Sequence, residues 1–384
     1  MMDKNKIVKL EDLVENISVR EANPSSCGLE RYVGLEHLDS EDFFVNRWGS
    51  TSKFSSGKRF QKGDILFCRR RPYLRKCSVA EFEGICSGDA FVLRLKENTI
   101  APGLLKYILN TEGFWKYCIK HSDGSMSPRV KWQILKNYEV ELPSFNIQLK
   151  AVDMFDRIYD LQKCHSISLE NTRLGIKKIG DYFWRSLDSN IDFDELRMGD
   201  VCIKIQDGTH FSPPTDVDGE YYYVTAKNIK NNQVRIDGCD KVTAEFHHDI
   251  YKRCDVTNGD VLLTKDGTIG EVAIFGHDCE ISLLSSVAML RPVPELVKAD
   301  YLAEFLRSNF AKVEMARVTS GSAIRRLTLV NINSMKIKVP KNYSDQLEIT
   351  NKFKKMRQLE SQLLILYSNC KDLLISSINN EWAV

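Results

Sequence analysis

The sequence predicts an α+β protein: two tandem α/β domains separated by a long antiparallel two-helix coiled coil, with the halves related as a pseudo-twofold repeat. Three observations predict it. The chain repeats itself with a period near 197 residues. Each repeat begins with short β-rich runs punctuated by Gly, Pro and Asn. Each then ends in a stretch almost free of Gly and Pro that carries helical periodicity.

The repeat is read from matched segments in constant order. Gly63-Asp64-Ile65-Leu66 matches Gly259-Asp260-Val261-Leu262. Gly124-Ser125 to Arg129 matches Gly321-Ser322 to Arg326. Leu142-Pro143 matches Val339-Pro340, and Gln148 to Phe155 matches Gln346 to Phe353. Segments 101–114 and 298–311 read as equivalent amphipathic helices. The predicted domains are 1–143 and 189–340, and the predicted spacer helices 144–188 and 341–384. Pro143 and Pro340 stand just ahead of those helices, where proline is tolerated, with Asn146 and Ser344 as expected N-caps.

The second helix carries Ile349, Met356, Leu363 and Cys370 at steps of seven, with Leu359, Leu366 and Leu373 at the partner positions, a coiled-coil pattern. The first carries a weaker stripe through Ala151, Phe155, Ile158, Leu169, Ile176, Ile179 and Phe183, interrupted by Gln162, His165 and Thr172. His165 is expected to set register rather than bind metal. Two stripes this long need long partners, and each covers the other if the helices pack antiparallel. About 35 residues of helix make a rod of roughly 50 Å, so two globules held apart are expected.

Composition narrows the function. Across 384 residues, 54 Lys and Arg balance 52 Asp and Glu for a net charge of +2. That excludes a histone-like polycation, and any nucleic-acid contact must come from local patches. Eleven cysteines lie singly with no Cys-x-x-Cys pair, so a zinc ribbon is not expected and reduced cytoplasmic thiols are. No run of 18 apolar residues occurs, so no membrane span is expected. No catalytic constellation stands out. Ser56-Gly57-Lys58-Arg59 lacks the rest of a P-loop, no Glu-x-Lys triplet occurs, and Ser212-Pro213-Pro214-Thr215 reads as a proline loop. His247-His248 reads as a surface turn. A binding protein with no catalytic residue, resident metal or cofactor is expected.

The loops carry the binding chemistry. Residues 58–76 hold eight basic side chains and one acidic. Arg69, Arg70, Arg71, Arg75 and Lys76 suit phosphates, and arginine also pairs with guanine. Tyr73 among them suits a sugar or base. The equivalent place in the second repeat reads Lys265-Asp266-Gly267-Thr268, and Gln206-Asp207-Gly208-Thr209-His210 forms a second polar turn whose side chains can read base edges. Ser125 with Arg129, and Ser322 with Arg325 and Arg326, place hydroxyls and arginines beside glycine for phosphate binding.

These segments resemble the DNA-specificity subunit of type I restriction–modification systems. The resemblance covers essentially the whole chain. It rests on the order domain–helix–domain–helix, on Gly63 to Lys76, on Gln206 to His210, on Lys265 to Gly270, and on the Pro-to-Gln segments at 143–148 and 340–346. It implies two target recognition domains, each reading one half of a bipartite site in double-stranded DNA. It implies a helical spacer that fixes the gap and docks two modification subunits, which methylate adenine with S-adenosylmethionine. Restriction subunits then join and use ATP with Mg. The second repeat departs by lacking the Arg-Arg-Arg-Pro-Tyr cluster, as expected if the halves read different sequences. The competing reading is a non-catalytic coiled-coil scaffold whose two globules bind ligands other than DNA; an enzyme with its own site is disfavoured by the missing motifs.

Overall fold

The computed structural model describes residues 6–186, 191–319 and 326–381. The chain divides into two compact units, Met1–Ser166 with Leu364–Val384, and Ile167–Leu363.

Both units are built on the same sheet. In the first, Val14–Ile17, Ala90–Leu95, Ile65–Cys68 and Cys77–Val79 lie side by side in that order, all antiparallel. In the second, Cys202–Asp207, Val287–Pro292, Val261–Thr264 and Val272–Ile274 do the same. Ile65–Cys68 and Val261–Thr264 are buried at every residue, which is why they read as unbroken apolar runs. A second sheet follows in each unit, with one parallel pair: Arg31–Val33 beside Gly84–Cys86, and Tyr221–Val224 beside Ile281–Leu283. A two-stranded ribbon joins the ends, Lys6–Lys9 with Glu139–Leu142 and Phe193–Arg197 with Lys336–Pro340.

The repeated Gly-Asp is structural. Gly63 and Gly259 take φ of 93° and 94°, a conformation that costs glycine nothing. The next residue turns a buried carboxylate onto an arginine across the sheet. Arg94 donates to Asp64 at 2.8 and 2.7 Å, and Arg291 to Asp260 at 2.8 and 2.8 Å. Each carboxylate also accepts a backbone N–H at 2.8 Å, from Gln61 and Thr257. The repeated glutamine is structural too. Gln148 accepts from Ala101 N at 2.9 Å and donates to Pro143 O at 2.8 Å; Gln346 accepts from Lys298 N at 3.2 Å and donates to Leu296 O at 2.8 Å. Each ties its long helix to its own domain.

Several expectations need correcting. Segments 101–114 and 298–311 are not single helices, because Thr111 and Ser308 interrupt them. Each hydroxyl caps a new helix, accepting from Phe114 N at 3.2 Å and Ala311 N at 3.1 Å, and a capping side chain favours a helix start over continuation. The long helices span Phe145–Asp181 and Tyr343–Glu381, so Asn146 and Ser344 lie inside them and are not N-caps. His247 is not in a surface turn. It lies on the helix Ala244–Arg253, fully buried, stacked on Tyr221 with ring centroids 3.7 Å apart. Its ring nitrogens reach Ser282 Oγ and Glu280 Oε2, each at 3.0 Å.

The seam of the second helix is also shifted. Leu359, Leu366 and Leu373 are 47, 45 and 55% exposed. The inward positions are Ile349, Phe353, Met356, Glu360, Leu363, Tyr367, Cys370 and Leu374. The step after each first position is four residues, not three, which moves the partner positions one residue onward. On the first helix, Phe155, Leu169 and Ile176 are buried and Ile158 half-buried, but Ile179 is exposed. Within Ile167–Leu363, Arg173 meets Glu360 at 2.8 Å, Gly175 faces Met356 and Gly180 faces Phe353. Rising numbers on one helix meet falling numbers on the other, so these segments run antiparallel. In the other unit, Phe155 shares a core with Tyr107, Leu374 and Ile378.

Candidate nucleic-acid interface

Two loops predicted from the first repeat come together. Arg70 and Arg129 form a backbone bridge, extended by Val130 N donating to Arg69 O at 2.9 Å and Arg71 N to Pro128 O at 2.7 Å. Arg71 and Arg75 flank a tight turn at Pro72–Leu74 with φ of 53° and 49°. Left-handed backbone costs a non-glycine residue about 1 kcal/mol, and such strain gathers at functional loops. Asp89 gathers the arginines: Arg69, Arg70 and Arg129 stand 3.7, 3.7 and 3.4 Å from its carboxylate. Arg70 Nε also donates to Ser127 Oγ at 2.6 Å. Arg71 and Tyr73 are exposed, and so is Ser125 on the adjoining loop. One carboxylate among four arginines leaves the patch positive.

Not every basic residue of 58–76 joins it. Arg75 pairs with Glu112 at 2.7 Å and Glu41 at 3.6 Å. Lys76 donates to Leu35 O at 2.7 Å, and Lys58 to Ala90 O at 2.8 Å. Burial pulls the Lys58 amine below its ordinary value. These three hold the fold together. Asp89 was missed by sequence reasoning, since an isolated aspartate carries no motif.

The second repeat builds the same frame with other side chains. Asp266 and Arg326 form the equivalent backbone bridge, and Leu327 N donates to Lys265 O at 2.9 Å as Val130 N does to Arg69 O. The hub here is Asp207, 2% exposed, which meets Arg253 at 2.8 Å, Lys265 at 3.4 Å and His210 at 3.4 Å. With its amide oxygen turned to Arg253, Gln206 accepts from Nε at 2.7 Å. Arg253 closes the helix Ala244–Arg253 and carried no sequence signal. Gly208 is forced by packing, since a Cβ there would lie 1.8 Å from Leu283 O. Thr209 is buried, its N–H bonded to Leu283 O at 2.8 Å. Gly267 turns with φ of 76°, and Thr264 Oγ1 donates to Thr268 O at 2.5 Å. Asp266 Oδ1 is buried without a hydrogen bond, 4.0 Å from Arg326 Nε. Asp266 Oδ2 accepts from Lys265 Nζ at 3.1 Å. Ser322 and Arg325 lie outside the described residues.

Among the described residues, no group of three His, Cys, Asp or Glu side chains is placed to hold a metal, and no helix is long and apolar enough to cross a membrane. All eleven cysteines are free thiols; burial pushes those of Cys86 and Cys254 up to about 12.

Residues 190–365 match the family model of the type I restriction modification DNA specificity domain. The specificity subunit of the type I restriction enzyme EcoDI from Escherichia coli is 26% identical over 105 residues, which cover 27% of this chain and 23% of that relative. The segment that the family model matches spans the second repeat, just under half of the chain. Two solved structures share the fold. The type I restriction–modification S subunit of M. genitalium is 12% identical, with a TM-score of 0.57 over 98% of this chain and 96% of that one. A chain from a study of complex assembly and conformational transition of the type I R-M system is 17% identical, with a TM-score of 0.58 over 99% and 98%. The matched bridges carry unlike side chains, Arg70 with Arg129 in the first repeat and Asp266 with Arg326 in the second.

Proposed function

We propose that this chain reads a bipartite site in double-stranded DNA, one half with each recognition domain, as the specificity subunit of a type I restriction–modification complex. Residues 1–143 and 189–340 act as the target recognition domains. Residues 144–188 and 341–384 form an antiparallel coiled-coil spacer that sets the gap between half-sites. The observation that carries the reading is the pair of equivalent bridges, Arg70 with Arg129 and Asp266 with Arg326. One frame presents an arginine cluster and the other a Gln206, Arg253, His210 and Asp266 surface. Arginine suits guanine and phosphate; glutamine suits adenine and a carboxylate suits the cytosine amino group.

Two modification subunits bring S-adenosylmethionine and dock on the spacer, whose outward Leu359, Leu366 and Leu373 recur at seven-residue steps. Restriction subunits add ATP and Mg, and the complex works in the cytoplasm. The test is single-molecule sequencing of genomic DNA from cells with and without the gene, scored for N6-methyladenine, with the partner methyltransferase shown to be expressed. Loss of methylation at one bipartite motif of fixed gap is the expected result. An unchanged methylome refutes the proposal.

A further inference from the structure

The second unit carries a small hairpin in which Ile229–Lys230 pairs with Gln233–Val234. Asn231 and Asn232 form its tip, with φ of 53° and 64°, the left-handed pair that a two-residue hairpin turn requires. Ile229 and Val234 are buried and root it in the core, and Arg235 N donates to Asn228 O at 2.8 Å just below them. The surface it presents is rich in donors. No acidic residue occurs from 221 to 236. Lys227, Lys230, Asn231, Gln233 and Arg235 are exposed. Among the described residues the three cations make no ion pair, and the side chains of Asn231, Asn232 and Gln233 make no hydrogen bond.

The hairpin is fixed in place beside the loop Lys265–Gly270. Ala226 N, at its foot, donates to Ser286 Oγ at 3.2 Å, and Lys265 N donates to Ser286 O at 2.9 Å. Ser285 N donates to Thr209 O at 2.8 Å. The hairpin, the loop and the turn at Gln206–His210 therefore hang on two consecutive serines. A groove of about 480 Å³ separates hairpin from loop. Lys227, Lys230 and Asn231 line one side, and Asp266, Thr268 and Glu271 the other. The carboxylates disfavour a phosphate between them. A base edge that offers a donor and an acceptor together finds partners on both sides.

Among the described residues the first unit has no counterpart. After its matching strand Arg31–Val33 the chain runs to Gly49–Ser50, which pairs back on that strand. A projection present in one domain and absent from the other is suited to telling unlike half-sites apart. We propose, on the footing that this domain reads DNA, that the hairpin Ile229–Val234 is its second base-reading element. It enters the major groove beside the loop. Asn231 pairs with the N6 and N7 edge of an adenine, and Lys227, Lys230 and Arg235 hold the flanking phosphates. The major groove admits a two-stranded β-ribbon, and asparagine meets adenine through two hydrogen bonds. The cations supply position and salt-dependent affinity.

The test measures binding of the assembled complex, by fluorescence anisotropy, to duplexes carrying the motif whose methylation depends on the gene. Every base pair of both half-sites is substituted in turn. Asn231→Gly removes the amide and keeps the left-handed turn. It should weaken binding to the intact site by about tenfold and erase the cost of substituting one A·T pair in one half-site, with the salt slope unchanged. Lys230→Gln should weaken binding to every duplex alike and lower the slope of log affinity against log salt by about 0.9. If Asn231→Gly keeps wild-type discrimination at every position, or Lys230→Gln keeps the wild-type slope, the hairpin is not a reading element, and the two-domain function stands. A wild-type complex with no preference for a bipartite motif overturns that function and the hairpin's role with it.

Discussion

Replacing Arg70 with alanine separates an arginine cluster that touches phosphate from one that is merely solvated. Arg70 holds Ser127 Oγ at 2.6 Å and stands 3.7 Å from Asp89, with 37% of its side chain exposed. Contacts so solvated cost the fold no more than about 1 kcal/mol when lost. Asp89 keeps Arg69 at 3.7 Å and Arg129 at 3.4 Å, so no carboxylate is stranded. The effect on DNA is larger. A hydrogen bond to a charged group is worth about 1.5–3 kcal/mol, so affinity at low salt should fall by about tenfold or more. Each phosphate contact also adds about 0.9 to the slope of log affinity against log salt. Losing one should flatten the slope by that amount, so a fourfold rise in salt shrinks the gap between wild type and variant by about 3.5-fold. The assay is fluorescence anisotropy of the assembled complex on target duplex over a salt series. Arg75→Ala is the control: paired with Glu112 at 2.7 Å, it should leave the slope unchanged. An unaltered slope for Arg70→Ala, or equal flattening by both variants, would refute the reasoning.

Other outcomes follow from the packing. Asp260→Ala takes two hydrogen bonds from Arg291 and leaves it Asp255 at 3.2 Å; stability should fall by about 1.5–3 kcal/mol in urea unfolding, and a loss under 1 kcal/mol would contradict its role as the buried anchor of the sheet. Leu374, 1% exposed, should cost about 2–5 kcal/mol on truncation to alanine, while Leu373, 55% exposed, should cost about 0.5 kcal/mol or less; the reverse order would restore the seam read from sequence. Burial holds the His247 pKa below the usual histidine value, against an upward pull from Glu280. The unfolded chain therefore binds the proton more readily. His247 stability is complete above the unfolded value of about 6.5 and is lost as pH falls from there through the lower folded value; a pH profile of the melting temperature unchanged in His247→Gln would contradict this. Inserting one heptad within 150–180 should change the half-site gap methylated in cells or abolish methylation, and an unaltered gap preference would show that the spacer is not the ruler.

Much of the frame was legible because duplication prints it twice. Gly63-Asp64 and Gly259-Asp260 recur since a left-handed turn needs glycine and a buried carboxylate needs its arginine. Gln148 and Gln346 recur since each must fasten a helix to its domain. The loops that resemble the family were legible as well, by charge and by glycine. What these loops do individually was not. Arg75 and Lys76 sit in the same basic run as Arg70, yet one turns to Glu112 and the other to a carbonyl, because the strained turn at Pro72–Leu74 rotates them away. Gly208 and Thr209 looked like a recognition motif and are packing residues against Leu283.

The sequence by itself determined that the chain is a duplicated α+β protein with two long helices, and it pointed to the family. These are properties of spacing and periodicity, which survive in one dimension. Only the tertiary structure decided which leucine faces inward on the second helix, that His247 is buried, and that Asp89 and Arg253, far from any motif, complete the two loop clusters. Each of these depends on partners distant in the chain. A seam shifted by one residue, or an arginine claimed by one carboxylate rather than another, is settled by which packing buries more apolar surface and pairs more charge, a comparison that exists only once the chain has folded.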